Sequence, residues 1–235
     1  MKKPHTDIIV AAYGWSFPDW CGNFYPEDLP EDWRLAYYSN EFRAVVVPAS
    51  AWSGEDALEI ERWVEDTSDD FIFYLEVVGV QTDWVKLAQA VSPLGDRLGG
   101  ILLRPLDVDP DLAMIAGELE TAVAVAPVAV LLPENRQPSE VGRRLLQQLK
   151  VSLCWNVGEG TPSWTQGGFA VARVAGTISY TPRQWREIIE QCLRCEIQDG
   201  TKRRVLLMVE QAAPDVDALR AAMMIGDMLV IPDMD

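Results

Sequence analysis

Three glutamates stand at the ends of apolar runs: Glu76 in Phe71–Val78, Glu134 after Pro127–Leu132, and Glu210 after Val205–Val209. In parallel α/β proteins the residues at strand C-terminal ends are the ones that meet ligands. Two such carboxylates facing one another beside flat aromatic surfaces would suit glycoside hydrolysis. Trp15, Trp20, Trp52 and Trp155 could supply those surfaces, or could pack in the core. The acids could equally be solvated rim residues of an acidic chain. Arg104, Arg136 and Arg173 could each grip a carboxylate or phosphate with two N–H groups. Pairing with the chain's own Asp and Glu is the alternative for all three. Arg173 stands out because its run, Phe169–Val174, is otherwise apolar.

The inventory removes other chemistries. The single histidine, His5, precedes the first apolar run and so belongs to the wrong end of a strand. A His-rich metal centre, a Ser-His-Asp triad and a Cys-His pair all fail on that count. The cysteines are Cys21, Cys154, Cys192 and Cys195. Cys192 and Cys195 form a CxxC on a helical pattern, with no second pair to complete a zinc site. No disulfide framework, metal or cofactor is expected, and the chain reads as a reduced, cytoplasmic protein.

Strand-like and helix-like runs alternate along the chain and must position these groups. The strands are Ile8–Ala12, Ala44–Val47, Phe71–Val78, Gly100–Arg104, Pro127–Leu132, Val151–Val157, Phe169–Val174 and Val205–Val209. The helices are Leu29–Phe42, Glu55–Thr67, Asp83–Leu98, Asp109–Ala122, Ser139–Lys150, Thr181–Ile197 and Asp215–Met228. The first should carry Trp33, Tyr37 and Phe42 on one face. Asp83–Leu98 is interrupted at Ser92-Pro93. Pro110 suits a first helical turn, and Ser139 and Thr181 suit N-caps. Between the sixth and seventh strands lies loop sequence, Gly158–Gly168. Several strands are apolar without alternation, as strands covered on both faces are. Eight such units, with no glycine-rich phosphate loop after an early strand, favour a closed TIM-like (β/α)8 barrel lacking one helix over a doubly wound sheet. No linker or repeat divides residues 1–235, so a single domain is expected.

The chain has 235 residues, is 49% hydrophobic and carries a net charge of −16. That charge opposes sequence-independent binding to nucleic acid. The basic run Lys202-Arg203-Arg204 reads as a solvated turn before a strand. No segment offers the ~18 uninterrupted apolar residues of a membrane span. Met1-Lys2-Lys3 is followed by Pro4, His5 and Asp7, so no secretory signal is expected. Met223, Met224 and Met228 lie on the last helical pattern and read as barrel-covering core.

The segment Tyr13-Gly14-Trp15-Ser16-Phe17-Pro18-Asp19-Trp20-Cys21-Gly22-Asn23-Phe24-Tyr25-Pro26 follows the first strand. It resembles the opening signature of the YecE-like family, bacterial and archaeal barrels of unknown function, through Gly14, Trp15, Ser16, Trp20, Gly22, Phe24, Tyr25 and Pro26. Leu35, Tyr37, Tyr38, Phe42, Trp63, Phe71, Phe73, Arg173, Gly176 and Tyr180 extend the likeness along most of the chain. The resemblance implies a TIM-like barrel with this aromatic loop at its strand C-terminal end. Measured against it, polar strand-end groups are replaced. Val46, Pro48, Ala51 and Trp52 stand where the family carries Glu, Asn and Phe-Tyr. Glu76 replaces a Lys, Thr82-Asp83 a Thr-His, and Arg104 a Gln. Leu131 stands near a Glu position, Asn156 replaces an Asp, Arg173-Val174-Ala175-Gly176 an Arg-x-His-Gly, and Val209-Glu210-Gln211 a Phe-Asn-Asn.

The leading expectation is therefore a barrel that binds a small-molecule ligand or a protein partner without catalysis. Tyr13, Trp15, Trp20 and Trp52 would wall its pocket, with Asn156 and Arg173 as polar contacts. The alternative is a hydrolase acting on a sugar or phosphate compound through Glu76 and Glu210. A third reading makes the barrel a subunit of an assembly that uses its apolar last helix.

Overall fold

Apolar runs caught between a barrel interior and a helical layer are buried on both faces, and alternation sends successive side chains to one side or the other. The computed structural model describes residues 7–52, 57–79, 82–106, 112–162, 167–177, 179–194 and 204–230. His5, Pro110, Cys195, Lys202 and Arg203 lie outside the described residues. The strands are β1 (Asp7–Tyr13), β2 (Ala44–Val47), β3 (Ile72–Val78), β4 (Leu98–Arg104), β5 (Val128–Val130), β6 (Ser152–Leu153), β7 (Trp155–Asn156), β8 (Phe169–Ala175) and β9 (Arg204–Glu210). They pair in parallel in the order β6-β5-β4-β3-β2-β1-β9-β8-β7. The two ends of that order, β6 and β7, are separated in sequence by Cys154 alone. They are halves of one strand: Ser152 and Leu153 pair with β5, while Trp155 and Asn156 pair with β8. The ring closes through this seam, giving the expected TIM-like barrel.

Inward-facing side chains form a core of their own, including Ala11, Val46, Tyr74, Leu102, Ala129, Phe169, Val171 and Met208. Gly100 belongs to its floor. A Cβ there would lie 2.5 Å from the Phe169 ring, so the glycine is what admits that ring. The outward faces of the strands pack under α1 (Arg34–Ser39), α2 (Ala57–Glu65), α3 (Trp84–Val91), α4 (Ala116–Val125), α5 (Glu140–Gln148), α6 (Pro182–Arg194) and α7 (Val216–Val230). The described part of the β7–β8 connection contains no helix.

Capping fixes where several helices begin. Thr181 Oγ1 accepts from Gln184 N at 3.4 Å while Gln184 Oε1 accepts from Thr181 N at 2.9 Å, a reciprocal capping box for α6. Ser139 Oγ accepts from Gly142 N at 3.1 Å and starts α5. Asp83 does the same for α3, which gives way at Ser92-Pro93, where the interruption was expected, to 3-10 turns over Ser92–Arg97 that are kinked at Gly95.

The first helix departs from expectation. A 3-10 turn, Glu31–Trp33, leads into the short α1, and Leu35, Tyr38 and Phe42 are buried rather than Trp33, Tyr37 and Phe42. Trp33 is 65% exposed. The two candidate stripes share Phe42 and otherwise differ in which positions face the sheet. The backbone of the sheet decides between them, because the Tyr38 hydroxyl donates to Ala44 O at 3.0 Å and accepts from Ala12 N at 3.2 Å. Of the expected fourth helix, Asp109 lies outside the described residues, residues 112–115 form turn, and the helix itself begins at Ala116. Among the described residues no helix is long and apolar enough to cross a membrane.

Candidate functional site

Following each inward series one step past the apolar interior leads to the barrel mouth. Six positions there are polar: Tyr13 from β1, Glu76 from β3, Arg104 from β4, Asn156 from β7, Arg173 from β8 and Glu210 from β9. Val46 of β2 and Leu131 after β5 fill the remaining two. The sequence had marked all six polar residues separately, and the barrel makes them one connected network.

Glu76 is its deepest member, only 2% exposed. Its Oε1 accepts from Arg104 Nε at 2.6 Å, and its Oε2 accepts from the Tyr13 hydroxyl and from Ala49 N, the latter at 3.1 Å. Arg104 also donates through Nη2 to Glu210 Oε1 and Oε2, at 3.2 and 3.0 Å. Glu210 Oε2 accepts in turn from Arg173 Nε at 2.6 Å, and Arg173 Nη1 reaches Asn156 Oδ1 at 3.3 Å. Asn156 Nδ2 donates to Glu159 Oε2 at 3.1 Å, and Glu159 Oε1 accepts from Asn135 N at 2.6 Å. Acid and base alternate along the chain of contacts, so every charge near the centre has an opposite neighbour. A carboxylate as buried as Glu76 requires this, because an unpaired one would be severely penalised.

The pairing sets the protonation states. Burial alone would raise the pKa of Glu210, but the hydrogen bond from Arg173 and the charges of Arg104 and Arg173 outweigh it and hold the carboxyl below its ordinary value. Burial and the hydrogen bond to Glu76 push the Tyr13 phenol well above its usual range. Burial opposes the charge on Arg104, yet Glu210 and Glu76 raise its pKa further. The Cys154 thiol, enclosed at the seam, is pushed up to about 12, chiefly by burial.

The tryptophans divide. Trp52 follows a 3-10 turn, Ala49–Ala51, and its Nε1 donates to Glu76 O at 3.1 Å, so it braces the network. Trp155 is buried, and its Nε1 donates to Glu159 O at 3.1 Å. The structure does not bring Trp15 and Trp20 to the mouth. Trp15 stands edge-on to Trp63 of α2, with ring centroids 5.7 Å apart. Trp20 is buried among Phe17, Phe24, Tyr25 and Tyr38 in the layer between strands and helices, and its Nε1 donates to Pro214 O at 2.8 Å. The aromatic loop is wound so that its rings turn outward from the barrel axis, toward α1 and α2. Glu134 and Arg136 are exposed on the connection that follows β5. Glu159 and the Ala49 amide belong to the network without having been marked by the sequence, because each sits in a connection with no motif around it. Among the described residues no group of His, Cys, Asp and Glu is arranged to hold a metal ion.

Two hollows lie among the connections at the strand C-terminal end. One of about 190 Å³ opens between the β8–α6 and β9–α7 connections, lined in part by Thr177, Ser179, Tyr180 and Asp215. Another of about 440 Å³ runs between the aromatic loop and the start of α7, past Asp19, Phe24, Asp217 and Arg220.

A closed parallel barrel with its polar groups gathered at the strand C-terminal end defines a TIM-like barrel protein. More particularly, the chain belongs to the family described as "Protein of unknown function DUF72", which it matches over residues 9–233. This meets the expectation of a barrel family of unknown function. A DUF72 family protein from Thermotoga maritima MSB8 is similar at 17% identity and a TM-score of 0.68, covering 95% of this chain and 99% of its own. One from Enterococcus faecalis V583 gives 14% identity and a TM-score of 0.69, covering 97% and 100%. The fold extends to D-psicose 3-epimerase, at 10% identity and a TM-score of 0.54 over 94% of this chain and 97% of that one. At these identities the likeness concerns the fold. No curated protein matches.

Proposed function

We propose that this barrel recognises a small ligand at its mouth without transforming it. The supporting observation is the state of the acids: Glu76 and Glu210 are both held by Arg104, and Glu210 by Arg173 as well. A general acid or base works best with a pKa near the ambient pH, and paired-carboxylate enzymes raise one acid to achieve this. Here Glu210 is displaced downward and Tyr13 upward, away from neutrality in both cases. In this reading Tyr13, Asn156 and Arg173 contact the ligand. Trp52 stiffens the site from behind, and Trp15 and Trp20 contribute only through the loop that carries them.

One observation favours the second reading, hydrolysis of a sugar or phosphate compound. Both glutamates reach the same guanidinium and therefore lie close to one another. The two readings separate in an assay of wild type, Glu76→Gln and Glu210→Gln against chromogenic glycosides and phosphate monoesters. Recognition without chemistry predicts no turnover by any of the three. Turnover in wild type that both substitutions abolish would overturn it in favour of the hydrolase.

A further inference from the structure

Resting on the recognition reading, we infer that the ligand class is a neutral, hydroxyl-rich molecule, a sugar or cyclic polyol held through neighbouring hydroxyl groups, and that phosphorylated or carboxylated compounds are excluded.

The inference starts from the donors the network leaves over. A guanidinium offers five N–H donors in a fixed fork. Arg104 spends its Nε and Nη2 on Glu76 and Glu210, and Arg173 spends its Nε and Nη1 on Glu210 and Asn156. Arg104 Nη1 and Arg173 Nη2 have no hydrogen-bond partner among the described residues. Neither is among the buried side-chain polar atoms that lack a partner within the described residues. Both atoms therefore keep some contact with solvent, on side chains 26% and 12% exposed.

A spare acceptor belongs to the carboxylate that both arginines hold. Glu210 Oε1 takes only the 3.2 Å contact from Arg104 Nη2, while Glu76 has both oxygens engaged. The network thus leaves two guanidinium donors and one under-used acceptor among residues that are bonded to one another.

Charge then selects among molecules that could use this pattern. Arg104 and Arg173 are already balanced by Glu76 and Glu210, with the Glu159 carboxylate one residue further along the network. An anion would enter without a counter-charge, beside two carboxylates, and against the field of a chain of net charge −16. A cation would have nothing to accept the guanidinium N–H groups and would be repelled by them. A hydroxyl group can accept from an arginine and donate to Glu210 at once. Two adjacent hydroxyls can satisfy both sides without adding charge to a half-buried site.

The test is isothermal titration calorimetry with D-glucose, D-fructose and myo-inositol, their monophosphates, and inorganic phosphate. At least one neutral probe should bind wild type, with its monophosphate roughly tenfold weaker or worse. Arg173→Met should weaken the neutral probe by about tenfold or more, as loss of a charged hydrogen bond does. Glu210→Gln, which leaves two arginines against the one directly paired carboxylate of Glu76, should gain measurable affinity for inorganic phosphate. Circular dichroism establishes that each variant is folded, with Arg173→Lys taking the place of the methionine variant if that one is not. Failure of every neutral probe to bind, or tighter binding of a monophosphate or of inorganic phosphate to wild type, would overturn the inference. Unconverted binding of an anion would leave the recognition reading intact. Conversion of a bound neutral probe, seen by NMR, would defeat that reading and leave the ligand class standing.

Discussion

The aromatic loop Tyr13–Pro26 and the polar mouth meet at Tyr13 and differ in almost every other respect. The loop draws its members from one short stretch of chain, and its rings touch one another: Phe17 and Trp20 at 4.5 Å, Phe24 and Tyr25 at 4.7 Å, Trp20 and Phe24 at 5.2 Å. The mouth draws one residue from each of six strand positions between Tyr13 and Glu210, and is held by directional contacts of 2.6 to 3.3 Å. The loop's principal long-range bond, Trp20 Nε1 to Pro214 O, spans 194 residues and fastens the first βα connection to the last. A dense local motif is here a structural clasp, while the polar residues of the mouth are scattered through the sequence and assembled by the ring.

This contrast can be broken first at the clasp. Trp20→Ala removes a fully packed indole and the tie to Pro214, and should cost about 3–5 kcal/mol, as large-to-small core changes of this kind do. Denaturant unfolding measures the loss. Ligand affinity of the fraction still folded should be unchanged, and a large affinity loss would show that the loop serves the mouth directly.

Arg104→Met attacks the mouth itself. It strands Glu76, which is 3% exposed on its side chain, without its cation. Breaking a buried pair typically costs 3–5 kcal/mol; because Arg104 keeps about a quarter of its side chain in solvent, about 2–3 kcal/mol is expected. Restoring stability with the double variant Arg104→Met, Glu76→Leu would sharpen the point that pairing, rather than packing, is what Arg104 supplies.

The smallest effect is pH-dependent. Glu210 has its folded pKa depressed, against an ordinary value of about 4.3 in the unfolded chain. Its stabilisation is complete above that value and lost as pH falls through the folded pKa. Glu210→Gln should therefore be less stable than wild type by about 1–2 kcal/mol near neutrality, the size of a charge-assisted hydrogen bond. The difference should shrink below pH ~4. A gap in melting temperature that stays constant from pH 7 to pH 3 would contradict the assigned pairing.

Fold and site were unequally legible in the sequence. Strand positions were readable because burial on both faces leaves long apolar runs; β2 occupies the expected Ala44–Val47. The β6–β7 strand was expected as one run, Val151–Val157, because the seam at Cys154 is a change of pairing partner and not of side-chain character. Helix faces were less legible. Trp33, Tyr37 and Tyr38 are all aromatic, and only the distance of each from the sheet decides which is buried. The mouth residues were visible individually as polar breaks at strand ends, but their mutual pairing follows from ring closure, which no local pattern encodes. Trp15 and Trp20 were expected at the pocket wall because a strand-end loop rich in aromatics usually faces the ligand. The packing demand of α1 and α2 claims their rings instead.

The seam offers a final use. Cys154 sits where the ring changes partner, with its thiol buried and its pKa pushed up to about 12, whereas Cys21 lies exposed on the aromatic loop. An alkylating reagent that meets only thiolates in contact with solvent will mark Cys21 in the native protein and spare Cys154 until β6 and β7 part from their neighbours. The alkylation rate at Cys154 is thus a clock for the breathing of the barrel wall, built into the sequence at the one point where the ring is joined.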